Sequence, residues 1–454
     1  MDEHFLRVMT NGTVVGQLGH NAREMQYSFQ YEQAWRDSRE AFSLSPHILH
    51  TGEPPVPGAV HRFLENLLPE GRALEVASYV NNVTKTNVYG LVRALGAEPV
   101  GAFSFLPLDA HTAQAEAIRR AIPLEELSAR IKERDTVPFP VWDQKVRLSV
   151  AGFQDKLQVM VEGERISLVD GRLSSTHLLK PESRSPHSPF LVANEHFCMS
   201  LARAINLPTA AVEIRRIPEP ILLIERFDRI VRYASANDPS SIHSVDRVHV
   251  IDGCQALDVP SGLKYERNFG HNKGVANIRD GVSFEKLFAL EKHFENPAAT
   301  KSFMLRWAIF QLLIGNSDAH GKNLSFFQRR TRLAPAPMYD LVCINVYGDG
   351  GKVEQEMAMA YGDVFLLDEI TPYALADFCS RIKMPPALVA REMKRLADVV
   401  CKFARVRAES PVYVGEERAM VKRIADFVCR QGERLMRLAP EVPKVAPELL
   451  RERR

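Results

Sequence analysis

In the stretch IGNSDAHGKNLSFF, residues 314–327, an acid, an imidazole, a cation and an amide crowd into one polar loop. Asp318 and Asn323 stand five residues apart, with His320 and Lys322 between them. Phosphoryl transfer asks for this mixture. A carboxylate must take or orient the proton of an acceptor hydroxyl, and a hard divalent ion needs oxygen ligands from amides and carboxylates. Taken alone the pair is weak, because an Asx-rich turn after a helix accounts for it equally well. A second acid, Asp340 in APMYDLVCI, comes 22 residues after Asp318, a separation that suits a second metal-binding Asp. By itself Asp340 also reads as a surface acid at a strand edge.

Three further stretches add to the chemistry. Lys180 ends the apolar run of STHLLKPE, where an ammonium group can reach nucleotide phosphates, and Glu195 on the next helix is placed to pair with it. ILLIERFDR reads as an apolar strand ending at Glu225, Arg226 and Phe227; its backbone can bond an adenine edge and Phe227 can wall the ring. RLSVAGFQDK, residues 147–156, reads as strand, turn at Ala151-Gly152 and strand, whose N–H groups can lie over phosphates. It has a single glycine, so it is neither a Walker A loop nor a Gly-rich kinase loop. Each of these has a plain alternative, respectively two solvated charges, a core strand and an ordinary hairpin. Their order carries more weight than any one: loop, Lys, helix with Glu, linking strand, Asp and Asn, then Asp. That is the order of parts in a protein-kinase-like fold.

The elements that must position these residues can be read from hydrophobic period and turn signals. Residues 4–18 predict a hairpin about Asn11-Gly12. Residues 60–71 and 87–107 predict helices and a short strand, and PLEELSARIKER one more helix. From Gln144 to Val169 a pair of strands surrounds a polar loop. Phe190, Ala193, Phe197, Leu201 and Ala204 mark a helix that Pro208 ends. Residues 232–247 are polar and read as an inserted, mobile loop. Helices are expected over 283–293, 301–314, 372–382, 386–407 and 415–438, the run 303–313 being amphipathic. This predicts an α+β fold in which a sheet-rich lobe precedes a helical lobe. The expected divisions are 1–110 (a small N-terminal subdomain), 111–144 (linker with helix), 145–230 (sheet lobe), 231–247 (insertion), 248–440 (helical lobe) and 441–454 (basic tail).

Composition sets limits. The 454 residues are 45% hydrophobic and 25% charged, with a formal net charge of +2. No global field favours nucleic acid or a membrane surface. The cysteines at 198, 254, 343, 379, 401 and 429 form no C-x-x-C pair. Their scatter argues against structural zinc and a disulfide framework and suits a reducing cytoplasm. The start MDEHFLRVMTNG has no apolar h-region, and the most apolar helix is too short to span a bilayer. A cytoplasmic protein without membrane contact is expected.

Beyond these readings, SVAGFQDK, STHLLKPE, ANEHFCMSLARAINLP, ERFDR, IDGCQALDVPSGLKYE, GNSDAHGKN and YDL, with RFLENLLPEG near the N-terminus, together resemble the HipA-type serine/threonine kinase toxins of bacterial toxin–antitoxin modules. The resemblance runs from about residue 5 to about residue 435. It implies a bilobal protein-kinase-like fold, with a mixed-sheet N-terminal lobe that includes a small extra subdomain, and a helical C-terminal lobe. It implies ATP and Mg2+ as cofactors, with Asp318 catalytic and Asn323 and Asp340 binding the metal. Lys180 would contact ATP phosphates and Glu225, Arg226 and Phe227 the adenine. Ala151, Gly152, Phe153, Gln154, Asp155 and Lys156 would cover the phosphates. His320, Gly321, Lys322, Asn323 and Tyr339 would line the nucleotide site. Ser149 matches the serine such kinases autophosphorylate. The implied partners are a helix-turn-helix antitoxin, DNA only through that antitoxin, and a protein substrate in translation of the aminoacyl-tRNA synthetase type. The loop departs from the family at Phe153 and Asp155, where a small residue and a Glu are common.

Two other classes compete. One is a catalytically weak kinase-fold co-repressor acting with a DNA-binding antitoxin. It has no need of Lys180, Asp318, Asn323 and Asp340 together. The other is a small-molecule kinase, which would share the Asp, Asn, Asp logic but is not expected to carry NLLPEG or CQALDVPSGLKYE.

Overall fold

The computed structural model describes residues 3–52, 54–110, 116–147, 154–235, 238–270, 274–348 and 353–451, with side chains left undescribed at 235, 238–241 and 451. Two compact units are interleaved along the chain. The first takes residues 1–181, 215–251 and 326–334; the second takes 182–214, 252–325 and 335–454.

The first unit opens with a four-stranded antiparallel sheet in the order Gln26–Tyr31, Thr13–Asn21, Glu3–Thr10, Phe103–Pro107. Its first hairpin turns at Asn11-Gly12, both in the left-handed region, as that dipeptide predicts. Leu6, Val8, Val15, Leu18, Phe103 and Phe105 are buried, and the helices Ala59–Glu65 and Val88–Leu95 pack on the strands with Phe63, Leu64, Leu91 and Val92 inside.

A six-stranded sheet comes next in the order Val212–Arg216, Pro220–Glu225, His177–Pro181, Leu157–Glu162, Arg165–Asp170, Ile118–Ala121. Leu157, Val159, Ile166, Leu168, Leu179, Ile221 and Leu223 form its core with Phe139, Trp142 and two residues of the helix Leu124–Lys132, Leu127 and Ile131. A fully buried Leu or Ile contributes about 1.5–3 kcal/mol, so this core rather than the loops holds the strand that carries Lys180.

The described residues among 232–247 do not form the loop that the sequence suggests; they belong to two paired strands, Arg229–Ser235 and Asp238–Arg247. Ile242 and Val245 bury against Met160, Val169 and Leu173 on either side of a register shift, so no simple alternation marks them in the sequence. The apolar strand of ILLIERFDRI is likewise broken in two, ending at Glu225 and resuming at Arg229.

The second unit is helical around short strand pairs. Its long helices are Leu191–Ala204, Pro297–Ile314, Pro372–Arg381, Pro386–Ala408 and Glu417–Leu438. Pro297–Ile314 begins earlier than expected, with Asn296 Oδ1 accepting from Ala299 N–H at 3.1 Å and Pro297 opening the first turn. It is not amphipathic: Thr300, Phe303 to Leu305 and Trp307 to Ile314 are all buried. Helix Leu191–Ala204 ends four residues before Pro208, so the stop comes from Asn206 in the left-handed region rather than from the proline. Two of the six cysteines do pair. Cys401 and Cys429 form a disulfide between helices Pro386–Ala408 and Glu417–Leu438, with Cα atoms 4.7 Å apart, while Cys198, Cys254, Cys343 and Cys379 are buried and free. Their separation of 28 residues gives no local signal; helix packing brings them together. Among the described residues no helix is long and apolar enough to cross a membrane.

Candidate active site

In the second unit the polar loop is built on the end of the buried helix Pro297–Ile314. Gly315 closes that helix in the left-handed region, and a Cβ there would meet the Phe427 ring at 2.6 Å and Asn345 Cβ at 2.8 Å. Only glycine lets the chain turn there against the neighbouring helix. Asn316 then organises the loop itself. Its Nδ2 donates to Gln311 Oε1 at 3.0 Å and to the Asp340 carbonyl at 3.4 Å, and its Oδ1 accepts from Asp318 N–H at 3.2 Å. Sequence reasoning did not single out Asn316, whose side chain makes an Asx turn to the backbone two residues on.

Asp318 is exposed, while Ala319 to Leu324 are buried. Tyr265 Oη donates to Asp318 Oδ1 at 2.6 Å. Asn323 and Asp340, distant in sequence, are in contact: Asn323 Nδ2 donates to Asp340 Oδ2 at 2.8 Å, and Asn323 Oδ1 accepts from His320 N–H at 3.2 Å. Asp340 is in the left-handed region at φ 56°, a conformation that directs its carboxylate toward Asn323 at some backbone strain.

Three predicted nucleotide-lining residues have other work in this unit. Lys322 Nζ is buried and donates to Asp252 Oδ2 at 2.6 Å, while Asp252 Oδ1 caps the helix Gly253–Leu257 through Gln255 N–H at 2.9 Å. Tyr339 donates to the Lys322 carbonyl at 2.5 Å, so its oxygen accepts from the Ser325 hydroxyl at 2.7 Å. Burial pushes its phenol far above the ordinary range, so it stays protonated. For His320, burial first, then Lys264, with Asp340 opposing and Lys322 adding, push the imidazole well below its usual value; it stays neutral at pH 7.

In the first unit Lys180 is buried on the central strand His177–Pro181, opposite Leu222 of Pro220–Glu225. Lys156 is buried, and Asp155 lies 3.5 Å from the Arg134 guanidinium. Gln154 is half-buried. Glu225 is exposed, opposite His177, and Phe227 meets Phe327 edge-on at 6.0 Å. Ser149, Ala151, Gly152 and Phe153 lie outside the described residues. Glu195 is fully buried on Leu191–Ala204, within the second unit.

Arg226 is the instructive case. Its backbone N–H donates to the Thr176 carbonyl at 2.9 Å. Its guanidinium donates to both Asp228 oxygens, at 3.0 and 2.8 Å, and to Ser175 Oγ at 3.0 Å. Arg229 Nη1 reaches Asp228 Oδ2 at 2.7 Å, and Arg229 and Arg226 lie 3.2 and 3.6 Å from Glu98. Arg247 donates to the carbonyls of Gly101, Ala97, Pro99 and Phe103 at 2.8–3.1 Å and to Ser104 Oγ at 2.8 Å. All three guanidiniums are buried. Burial would raise Asp228, but Arg226 and Arg229 outweigh it and hold its carboxyl well below the usual carboxylate range. The side chain of Arg226 therefore anchors the end of the strand Pro220–Glu225, and its donors are engaged within the protein.

An exposed carboxylate on the loop whose Asn323 contacts Asp340, on an α+β frame, fits a phosphotransferase-type protein. Family models agree with that class and narrow it. The HipA N-terminal domain matches residues 6–106 and the HipA-like C-terminal domain residues 148–405. The serine/threonine-protein kinase toxin HipA of Shewanella oneidensis is 37% identical over 434 residues, 95% of this chain and 96% of that protein. The putative kinase Y4mE of Sinorhizobium fredii is 32% identical over 97% of this chain and 100% of its own length. A solved complex of Shewanella oneidensis HipA, HipB and operator DNA superposes with a TM-score of 0.86 at 36% identity, covering 97% of this chain and 100% of the matched one. The chain belongs to the HipA family of serine/threonine-protein kinase toxins.

Proposed function

We propose that this chain transfers the γ-phosphoryl group of ATP, with Mg2+, to serine or threonine hydroxyls of a protein, and arrests growth when no antitoxin restrains it. The observation that carries this is the pairing of Asn323 with Asp340 at 2.8 Å beside an exposed Asp318 on the same loop. In this reading Asp318 takes the acceptor proton as that oxygen bonds to phosphorus and the bond to ADP breaks. Asn323 and Asp340 supply two hard oxygen ligands. Among the described residues no group of three or more His, Cys, Asp or Glu side chains could cage an ion, so this pair suits one that keeps waters and takes phosphate oxygens. When bound, Mg2+ neutralises charge that develops on those phosphates.

Lys180, Lys156, Gln154, Asp155 and the loop 151–153 belong to the phosphate side of this reading. The adenine falls to Glu225, Phe227 and the Arg226 backbone, Arg226 contributing by holding the strand end. A partner of HipB type, and through it DNA, is inferred from the relative's complex. The protein substrate is of the translation machinery, and the setting is the cytoplasm.

The test is to incubate the protein with γ-labelled ATP, Mg2+ and a bacterial lysate, then identify the labelled acceptor. Label on a seryl or threonyl protein side chain is expected; its absence overturns the reading. Mass spectrometry of the same sample addresses Ser149. A phosphate there adds about −1.5 to −2 charges, which repel nucleotide phosphates. Phosphorylated Ser149 with lost ATP binding is expected, and a phosphoserine form that binds ATP normally removes the off-switch. In a separate measurement, Asp340→Ala abolishes metal-dependent ATP binding by calorimetry. An affinity unchanged by the substitution and by EDTA would end its metal role.

A further inference from the structure

We propose that Tyr265 is a positioning residue for the acceptor-side carboxylate. Its phenol holds one oxygen of Asp318, so that the carboxylate keeps a single orientation toward the hydroxyl to be phosphorylated. This rests on the reading of Asp318 given above and extends it to a residue 53 positions away.

An exposed aspartate ordinarily samples several rotamers. Here the bond from Tyr265 Oη to Asp318 Oδ1, at 2.6 Å, is short and charge-assisted. Tyr265 is itself half-buried and anchored from every side. Its ring meets His320 edge-on at 5.0 Å, and Lys264 Nζ lies 5.4 Å from the ring centre. Asn268 Nδ2 donates to its carbonyl at 2.6 Å. The backbone on either side is fixed as well: Val282 N–H donates to Leu263, Gly321 N–H to Lys264, and Glu266 N–H to Ala358, each at 2.9 Å. Gly281 passes so close over the Tyr265 carbonyl that a Cβ has no room there.

One strand joins both partners. The Ala358 carbonyl accepts from Glu266, next to Tyr265, and the Ala358 N–H donates to Ser317, next to Asp318, at 2.9 Å. Ala358 lies in the buried strand Glu356–Tyr361. A single residue of the core therefore sets the spacing between the phenol and the carboxylate, and the hydrogen bond at their tips completes a closed frame. A residue packed only for stability has no need of its hydroxyl aimed at a solvent-facing carboxylate.

The experiment compares wild type, Tyr265→Phe, Tyr265→Ala and Asp318→Asn, by initial rates of label transfer from γ-labelled ATP to lysate protein across ATP concentrations. Tyr265→Phe keeps the ring, and with it the contacts to His320 and Lys264. It lowers the maximal rate about tenfold, the scale of one charge-assisted hydrogen bond. The half-saturating ATP concentration and the melting temperature stay unchanged. Tyr265→Ala loses the rate to at least the same extent. A Tyr265→Phe rate within twofold of wild type overturns the proposal, since the hydroxyl is then idle. So does a faster rate, which makes the hydroxyl a block. If Asp318→Asn keeps the wild-type rate, the functional reading itself fails. If Asp318→Asn is inactive while Tyr265→Phe is normal, only the present inference fails.

Discussion

Replacing Asp318 by Asn abolishes measurable phosphoryl transfer while the protein stays folded and keeps its ATP. The expected loss is roughly 10²–10⁴-fold, the usual contribution of a positioned acid–base group. Folding is spared because the side chain is exposed, and the loop around it is held by other groups. The Ser317 hydroxyl donates to the Glu354 carbonyl at 2.9 Å, the Asn316 amide ties the loop to its helix, and Asn323 pairs with Asp340. ATP binding is spared, in the proposed reading, because the Asn323–Asp340 contact is untouched. The measurement is label transfer beside a thermal melt and an ATP titration. Wild-type transfer by the variant would remove Asp318 from the chemistry; a drop in melting temperature with lost ATP binding would make it structural.

Replacing Asp228 by Ala has the opposite profile, destabilising the first unit by about 3–5 kcal/mol, the range seen when one partner of a buried ion pair is removed. Two buried guanidiniums, Arg226 and Arg229, lose their shared carboxylate, and Gly101 N–H loses an acceptor at 3.2 Å. Chemical denaturation reads the change directly, and a difference below about 1 kcal/mol would show that the remaining groups rearrange to compensate. The pH dependence has a definite sign. The folded-state pKa of Asp228 is depressed, so its contribution is fully present above the unfolded value near 3.9 and is lost as pH falls through the lower folded value. Glu98, also depressed because its three arginines outweigh its burial, adds in the same direction. Wild type therefore loses stability on strong acidification more steeply than Asp228→Ala does.

These two acids also mark the reach of sequence reasoning. Asp318, Asn323 and Asp340 stand out in the sequence because their residue types and spacing suggest a chemistry, and the fold brings Asn323 and Asp340 into contact at 2.8 Å. The hairpin at Asn11-Gly12 and the long C-terminal helices are legible because turn chemistry and hydrophobic period are local. In the sequence Asp228 and Arg226 look like the trailing end of a nucleotide strand. Their real surroundings include Glu98 and Arg247, and no local pattern links positions so far apart. The helix before the polar loop reads as one-sided because Arg306 and Gln311 interrupt it. In the structure Gln311 is buried and bonded to Asn316, a polar residue serving an interior contact. Tyr265 is visible only as part of a family-like segment. Its task depends on strand Glu356–Tyr361, nearly a hundred residues downstream.

The interleaving of the two units has a consequence for how the polypeptide is made. The first unit receives its last segment, residues 326–334, only after most of its own length and a large part of the second have been synthesised. A ribosome adding about 5–20 residues per second needs roughly 8–30 s to travel from residue 181 to residue 334. Throughout that interval the nascent chain carries the Lys180 strand on an unfinished unit and lacks Asp340 altogether. Until residue 340 is made, the nascent chain cannot form the contact between Asn323 and Asp340. A message cut short anywhere before residue 334 yields neither unit complete.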